Sequence, residues 1–346
     1  MFQDLSIQEW LERREKGMTM IDVRSPSEYA DATIPGSLNI PLFNDEERAE
    51  IGTIYTRVSV EAAKERGLEI VSAKLPAFIR QFADIEGPKT VFCWRGGMRS
   101  KTTATLLSLM DIHVCRLAGG YRNYRKWVVS TLESLEFKPK ALVIHGDTGN
   151  GKTNILRNLQ AKGYPVIDLE GMAGHRGSAF GQIGLRAHNQ RMFDALLLEE
   201  LLRLKQADYV MLEAESKRIG KICVPDFILS KKDQGYHVKL ELPLEVRVQN
   251  IIKDYEPGKH PQECKEAFQR IRSKIHVPIA ADIATYLEQE QYEQAVELLL
   301  LHYYDKRYAY SEQYYGDGDF ITIAAETMEE AEQQVEQLLQ KLYPRE

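Results

Sequence analysis

Nowhere in these 346 residues is there an unbroken apolar run close to the roughly 20 residues that cross a bilayer, so no membrane-spanning helix is expected. The opening MFQDLSIQEWLERREKG is acidic and amphipathic, without the apolar stretch and small-residue cleavage site of a signal peptide, which predicts a cytoplasmic protein. No CxxC pair occurs. The four cysteines, Cys93, Cys115, Cys223 and Cys264, are far apart, which argues against a zinc site or a disulfide framework and makes reduced thiols the default. Internal repeats and low-complexity tracts are absent as well, which removes solenoid and disordered classes.

An excess of positive charge is also lacking. The net charge of −6 weighs against a general nucleic-acid binder, yet its distribution is uneven. Lys89, Arg95, Arg99, Lys101, Arg116, Arg122, Arg125 and Lys126 face a single acid, Asp111, within one stretch, whereas acids dominate from Asp282 to the end. An anionic partner near the middle of the chain stays open.

What is present is an ordinary soluble composition, 43% apolar and 28% charged, at a length that suits two domains. Over residues 1–135 short apolar runs (TMIDVRS, TVFCW, HVCRLAG) alternate with helical patterns (SIQEWLERRE, PAFIRQFADI, RSKTTATLLSLM), as in an α/β layer. SLEFKPK, with Pro139, reads as a linker. Over residues 136–346 the pattern restarts at ALVIHGDTGNGKTNILRNLQ as strand, glycine-rich turn and helix. A helix near 189–206, strands at DYVMLEAE and YHVKLELP, and a helix at LEVRVQNIIKDY follow. Beyond Pro278 the chain reads mostly as amphipathic helix, with a late strand at FITIAAE. The expected fold is α/β in both domains, the second P-loop NTPase-like with a helical C-terminal part.

Two segments carry chemistry. VFCWRGGMRS places Cys93 at the end of an apolar strand and before a helix, so Trp94, Arg95, Gly96, Gly97, Met98 and Arg99 form a loop whose backbone N–H groups and helix start favour an anionic sulfur or a bound oxyanion. Gly96 and Gly97 permit close approach, and Arg95 and Arg99 add positive charge. The second segment, Gly146-Asp147-Thr148-Gly149-Asn150-Gly151-Lys152-Thr153, fits G-x-x-x-x-G-K-[ST] between a strand and a helix. Its N–H groups would wrap a phosphate, Lys152 would neutralise charge, and Thr153 could hold Mg²⁺. The companion acid is expected from Glu213 or Glu215, with Asp168 and Glu170 as alternatives, although the usual aspartate is missing. HRGSAFG, with His175, Arg176 and Ser178, and SKRIGK, with Lys217 and Arg218, are candidate diphosphate or tRNA contacts.

IDVRSPSEY, IPGSLNIP, CWRGGMRS and LAGGY, in that order, resemble the rhodanese domain over most of residues 1–130. That resemblance implies that Cys93 carries a transferable chalcogen. Asp22 and Arg24 match the family's early motif, with a structural ion pair the expected role for them, and Trp10 and Trp127 read as core residues. The loop from Cys93 to Arg99 is one residue longer than in sulfur-transferring rhodaneses and is similar to phosphatase members of the fold. A phosphatase with an accessory nucleotide-binding domain, an ATP-dependent sulfurtransferase or kinase, and a non-enzymatic redox sensor therefore remain alternatives. Taken with ERAEIGTIYTR, GDTGNGKT, HRGSAFG and ESKRIGK, the whole chain resembles the tRNA 2-selenouridine synthases. The resemblance implies replacement of sulfur by selenium at C2 of 5-substituted 2-thiouridine at the tRNA wobble position. Selenophosphate would be the donor and geranyl diphosphate would supply an S-geranyl intermediate. No tightly bound cofactor and no membrane partner are expected.

Overall fold

The computed structural model describes residues 2–307 and 320–344. The chain divides into two compact units, Met1–Leu135 with Arg191–Leu198, and Glu136–Gln190 with Glu199–Glu346.

The first unit runs β1 (Gln3–Leu5), α1 (Ile7–Glu15), β2 (Thr19–Asp22), α2 (Pro26–Asp31), β3 (Leu38–Asn39), α3 (Asp45–Arg57), α4 (Val60–Ala83), β4 (Lys89–Phe92), α5 (Met98–Leu109), β5 (Cys115–Leu117) and α6 (Gly120–Ser134). All its strands pair in parallel, in the order β1-β5-β4-β2-β3. A parallel sheet is buried on both faces, which is why β2 and β4 read as continuous apolar runs rather than as alternations. Ile21, Val91, Phe82, Ala104 and Leu107 make part of its core. Trp10 is fully buried, edge-on to Tyr124, whereas Trp127 is only half-buried, short of the core role expected of it. Asp22 and Arg24 form a buried pair at 2.6 Å, with Asp22 also accepting from Thr33 Oγ1 at 2.8 Å, as a structural pair should. The helix expected to open at Pro76 begins at Val60. Ser59 caps it, and Ala63, Val71, Phe78 and Phe82 bury one face, so packing carries the helix through a proline that by itself signals a start.

The second unit holds β6 (Lys140–His145), α7 (Lys152–Ala161), β7 (Val166–Ile167), α8 (Leu169–Ala173), β8 (Tyr209–Glu213), the short antiparallel pair β9 (Arg218–Ile219) and β10 (Ile222–Cys223), and then β11 (Tyr236–Glu241) and β12 (Phe320–Ala324). The helix Gln190–Leu204 lies between α8 and β8 in the chain. The sheet order β12-β11-β6-β8-β7 is parallel throughout and puts the phosphate-loop strand β6 in the middle. The strand expected through YPVIDLE is only two residues long, because Asp168 accepts from Gly171 N at 2.7 Å and caps α8 instead. Helices Leu244–Tyr255, Pro261–Ile271, Val277–Glu288 and Tyr292–Leu299 follow β11. Phe268, Ile271, Ile283, Leu287, Ala295 and Leu299 give this helical part a core separate from that of the sheet. No helix among the described residues is long and apolar enough to cross a membrane.

Candidate functional site

Cys93 follows the last residue of β4, the strand at the centre of its sheet, and is 3% exposed. Its Sγ lies 3.2 Å from Ser100 Oγ, and the same hydroxyl donates to the Gly97 carbonyl at 3.3 Å. Between them α5 starts at Met98. The backbone N–H groups of Arg95, Gly96, Gly97 and Met98 have no acceptor among the described residues, which leaves a donor-rich turn beside the helix start. The loop is held from behind by α6, whose Tyr121 and Arg122 N–H groups donate to the carbonyls of Cys93 and Trp94, each at 2.9 Å. Gly120 makes that approach feasible. Its φ is +59°, and a Cβ there would stand 2.1 Å from the Cys93 carbonyl oxygen. Arg116 adds a brace, donating to the Gly96 carbonyl at 2.7 Å while pairing with Asp4 at 2.5 Å.

The arginines of this loop differ from expectation. Arg99 turns to Glu28, which it grips with both Nη atoms, so its charge is balanced there; Arg95 is exposed. Trp94 is half-buried with its ring 5.6 Å from that of Tyr121, and Met98 is 53% exposed.

In the second unit the chain leaves β6 and wraps through Gly146, Gly149 and Gly151 with φ of +145°, +87° and +65°. A Cβ on Gly149 would meet the Arg247 carbonyl at 2.7 Å, and one on Gly151 the Met328 side chain at 2.2 Å. Lys152, the first residue of α7, folds over the loop and donates to the Gly146 carbonyl at 2.6 Å. Thr153 Oγ1 lies 3.0 Å from Glu170 and also hydrogen-bonds Glu213. Glu170, Glu213 and Glu215 each bring a carboxylate oxygen within 4.8 Å of the others, and the second oxygen of buried Glu213 has no partner. Burial, followed by the repulsion of these neighbours, pushes Glu213 up to about 8 and Glu170 and Glu215 up to about 7. Three crowded oxygen donors beside a phosphate-loop threonine fit a hard divalent cation such as Mg²⁺.

These groups face a cavity of about 630 Å³, lined by Gly146, Thr148, Gly149, Gly151, Lys152, Thr153, Glu170, Arg176, Ser178 and Glu215 among others. Not every expected residue reaches it. The Asn150 side chain is buried and clasps β11, donating to the Leu240 carbonyl at 2.9 Å and accepting from Leu242 N at 3.2 Å; like Asp147 it does not line the cavity. Asp168 is taken up by its capping role and a 2.8 Å pair with Arg157. His175 Nδ1 accepts from Gly177 N at 3.1 Å, and the ring packs against Gly181 and Gly220. Lys217 pairs with Asp226 at 2.9 Å and Arg218 sits on an exposed short strand, so neither lines the cavity. Their place is taken by Lys232, which donates to the Glu215 carbonyl at 3.0 Å, and by Arg307. Arg247 was also missed. Buried on the helix after β11, it donates to the Thr148 carbonyl at 3.0 Å and pairs with Asp305 at 2.5 Å. The one signal for it in the sequence is a lone arginine between Val246 and Val248.

Comparison with known proteins agrees with both halves. The rhodanese-like domain family matches residues 6–126, and the tRNA 2-selenouridine synthase AAA domain family matches residues 139–276. A tRNA 2-selenouridine synthase from Nitrosomonas europaea is 35% identical over 266 residues, 74% of this chain and 69% of that protein. One from Cupriavidus pinatubonensis is 32% identical over 332 residues, 86% of this chain and 89% of that protein. Another, from Nitrosomonas eutropha, is 37% identical over 243 residues, and there the match spans 62% of the relative, less than two thirds of its length.

Proposed function

The chain belongs to the tRNA 2-selenouridine synthase family, and from that premise we propose that it replaces the 2-thio sulfur of a 5-substituted wobble 2-thiouridine in tRNA with selenium, in two steps. In the first, the thiocarbonyl sulfur attacks C1 of geranyl diphosphate, a C–S bond forms, and the C–O bond breaks with loss of diphosphate. In the second, a selenium nucleophile derived from selenophosphate adds at C2, and geranylthiol departs; water takes up the phosphoryl group, so selenophosphate ends as phosphate.

The observation that carries this reading is that one chain holds a cysteine in a turn of unpaired N–H groups and a phosphate loop with Lys152 and Thr153 beside three carboxylates. Lys152 bears on the departing diphosphate, where developing negative charge makes a fixed cation most effective. Gly146, Gly149 and Gly151 let the backbone come close to the phosphate oxygens. Thr153, Glu170, Glu213 and Glu215 would hold Mg²⁺, which supplies further neutralisation of the diphosphate. The Cys93 loop suits selenophosphate, because its unpaired donors can take phosphate oxygens while the thiol lies beside the selenium and guides its delivery without forming a bond to it. Exposed Arg95, Arg122 and Lys126 are available to tRNA phosphates.

The decisive experiment is nucleoside mass spectrometry of tRNA from cells with and without the gene, grown with selenium. Loss of 2-selenouridine in the deletion, restored by this chain, is the expected result. Unchanged 2-selenouridine would refute the proposal.

A further inference from the structure

Next to the phosphate cavity, in the same unit, is a second space of different character. It is slender, about 50 Å³ against about 630 Å³, and no charged side chain lines it. Phe180, Ile183, Leu287, Ala295, Val296 and Leu299 make the aliphatic and phenyl part of its wall. Thr148 of the phosphate loop, Ile251, Tyr255 and Tyr304 line both spaces. A small apolar space that shares four residues with an anion site suits a molecule with a charged head and a hydrocarbon tail, and it offers a nucleobase or sugar no charged partner.

The HRGSAFG segment is what joins the two. Gly177, at φ +63°, turns the chain so that Ser178 lines the phosphate cavity and Phe180 the apolar space. The Arg176 guanidinium donates to the carbonyls of Ile183 at 2.8 Å and Asp254 at 2.6 Å and lies 4.5 Å over the Tyr255 ring. An arginine that lines the phosphate cavity thus also fixes the aromatic wall between the two spaces.

We propose that this apolar channel receives the isoprenoid tail of a prenyl diphosphate whose head is bound by the phosphate loop, and that Leu287 and Ala295 set the length of tail accepted. The inference rests on the assignment of a diphosphate to that loop. Each methylene buried there is worth about fourfold in affinity, so a five-carbon unit with even two of its carbons buried changes binding by about tenfold or more.

The test is calorimetric binding of inorganic diphosphate, dimethylallyl, geranyl and farnesyl diphosphates to the full chain with Mg²⁺. Geranyl diphosphate is expected to bind about a hundredfold tighter than inorganic diphosphate, and farnesyl diphosphate no tighter than geranyl. Ala295→Leu, which narrows the channel, should weaken geranyl diphosphate about tenfold and leave inorganic diphosphate unchanged. Leu287→Ala, which enlarges it, should raise farnesyl relative to geranyl diphosphate about tenfold, and it decides the matter alone if Ala295→Leu does not fold. Equal affinity for inorganic and geranyl diphosphate, or chain-length ratios unmoved in the folded variants, would overturn the channel while leaving the head-group site standing. If inorganic diphosphate does not bind, or binds Lys152→Ala as well as the wild type, the head-group assignment fails and takes this inference with it.

Discussion

Cys93 Sγ and Ser100 Oγ are 3.2 Å apart, and this contact sets the thiol against the first turn of α5, where backbone donors are unpaired. Ser100 is fully buried and also holds the Gly97 carbonyl, so it positions both the sulfur and the turn. Cys93→Ala is expected to abolish 2-selenouridine formation with circular dichroism and tRNA affinity unchanged. Ser100→Ala should lower the rate about tenfold, the worth of one hydrogen bond of roughly 1.4 kcal/mol. Wild-type 2-selenouridine from the alanine variant of Cys93, measured by nucleoside mass spectrometry, would remove that thiol from the chemistry. Cys115→Ser and Cys223→Ser should stay active.

Gly120 tests how the loop is held. A methyl group there would meet the Cys93 carbonyl oxygen, and φ of +59° is already unfavourable for alanine. Gly120→Ala should destabilise the first unit by about 2 kcal/mol or more and suppress selenium transfer. Urea unfolding followed by tryptophan fluorescence measures the first effect. A fully stable, fully active variant would mean that α6 does not press on the cysteine loop.

The two half-reactions should separate by mutation. Lys152→Ala removes the cation expected at the departing diphosphate and leaves the cysteine loop intact. It should fail to geranylate 2-thiouridine tRNA yet convert pre-geranylated tRNA to the selenium form when selenophosphate is supplied. Cys93→Ala should do the reverse and accumulate geranylated tRNA. Geranylation at the wild-type rate by folded, tRNA-binding Lys152→Ala would show that the diphosphate does not depend on this loop.

The carboxylate trio predicts how stability changes with pH. Because burial and mutual repulsion raise Glu213 to about 8 and Glu170 and Glu215 to about 7, the folded metal-free protein holds protons that the unfolded chain releases near 4.5. Between those values the native state binds more protons than the unfolded one, so stability falls as pH rises from about 5 to 8. Differential scanning fluorimetry with a chelator should show the melting temperature dropping over that window. Mg²⁺ should raise it more at pH 8 than at pH 6, because protons no longer compete for the oxygens. Glu213→Gln should flatten both responses, and an unchanged Mg²⁺ shift in that variant would place the cation elsewhere.

The amino-acid order by itself determined whatever is local. The pattern G-x-x-x-x-G-K-T between an apolar strand and a helix reads as a phosphate loop, and a cysteine followed by two glycines and a second arginine forms its own turn. Both were legible because their chemistry depends on backbone conformation within a few residues. The start of α4 at Val60 was not legible, since its apolar positions declare a buried face only once the sheet is there to cover it. Nor could the sequence choose among Asp168, Glu170, Glu213 and Glu215, or separate Lys217 from Lys232. Thr153 meets Glu170 and Glu213 because β7 and β8 run side by side, and Asp168 is lost to a helix cap that forms one residue before α8. Such partners lie tens of residues apart in the chain. Register and packing, which propensity and motif do not encode, decide which charge faces the cavity, which one braces it, and where an apolar channel opens beside it.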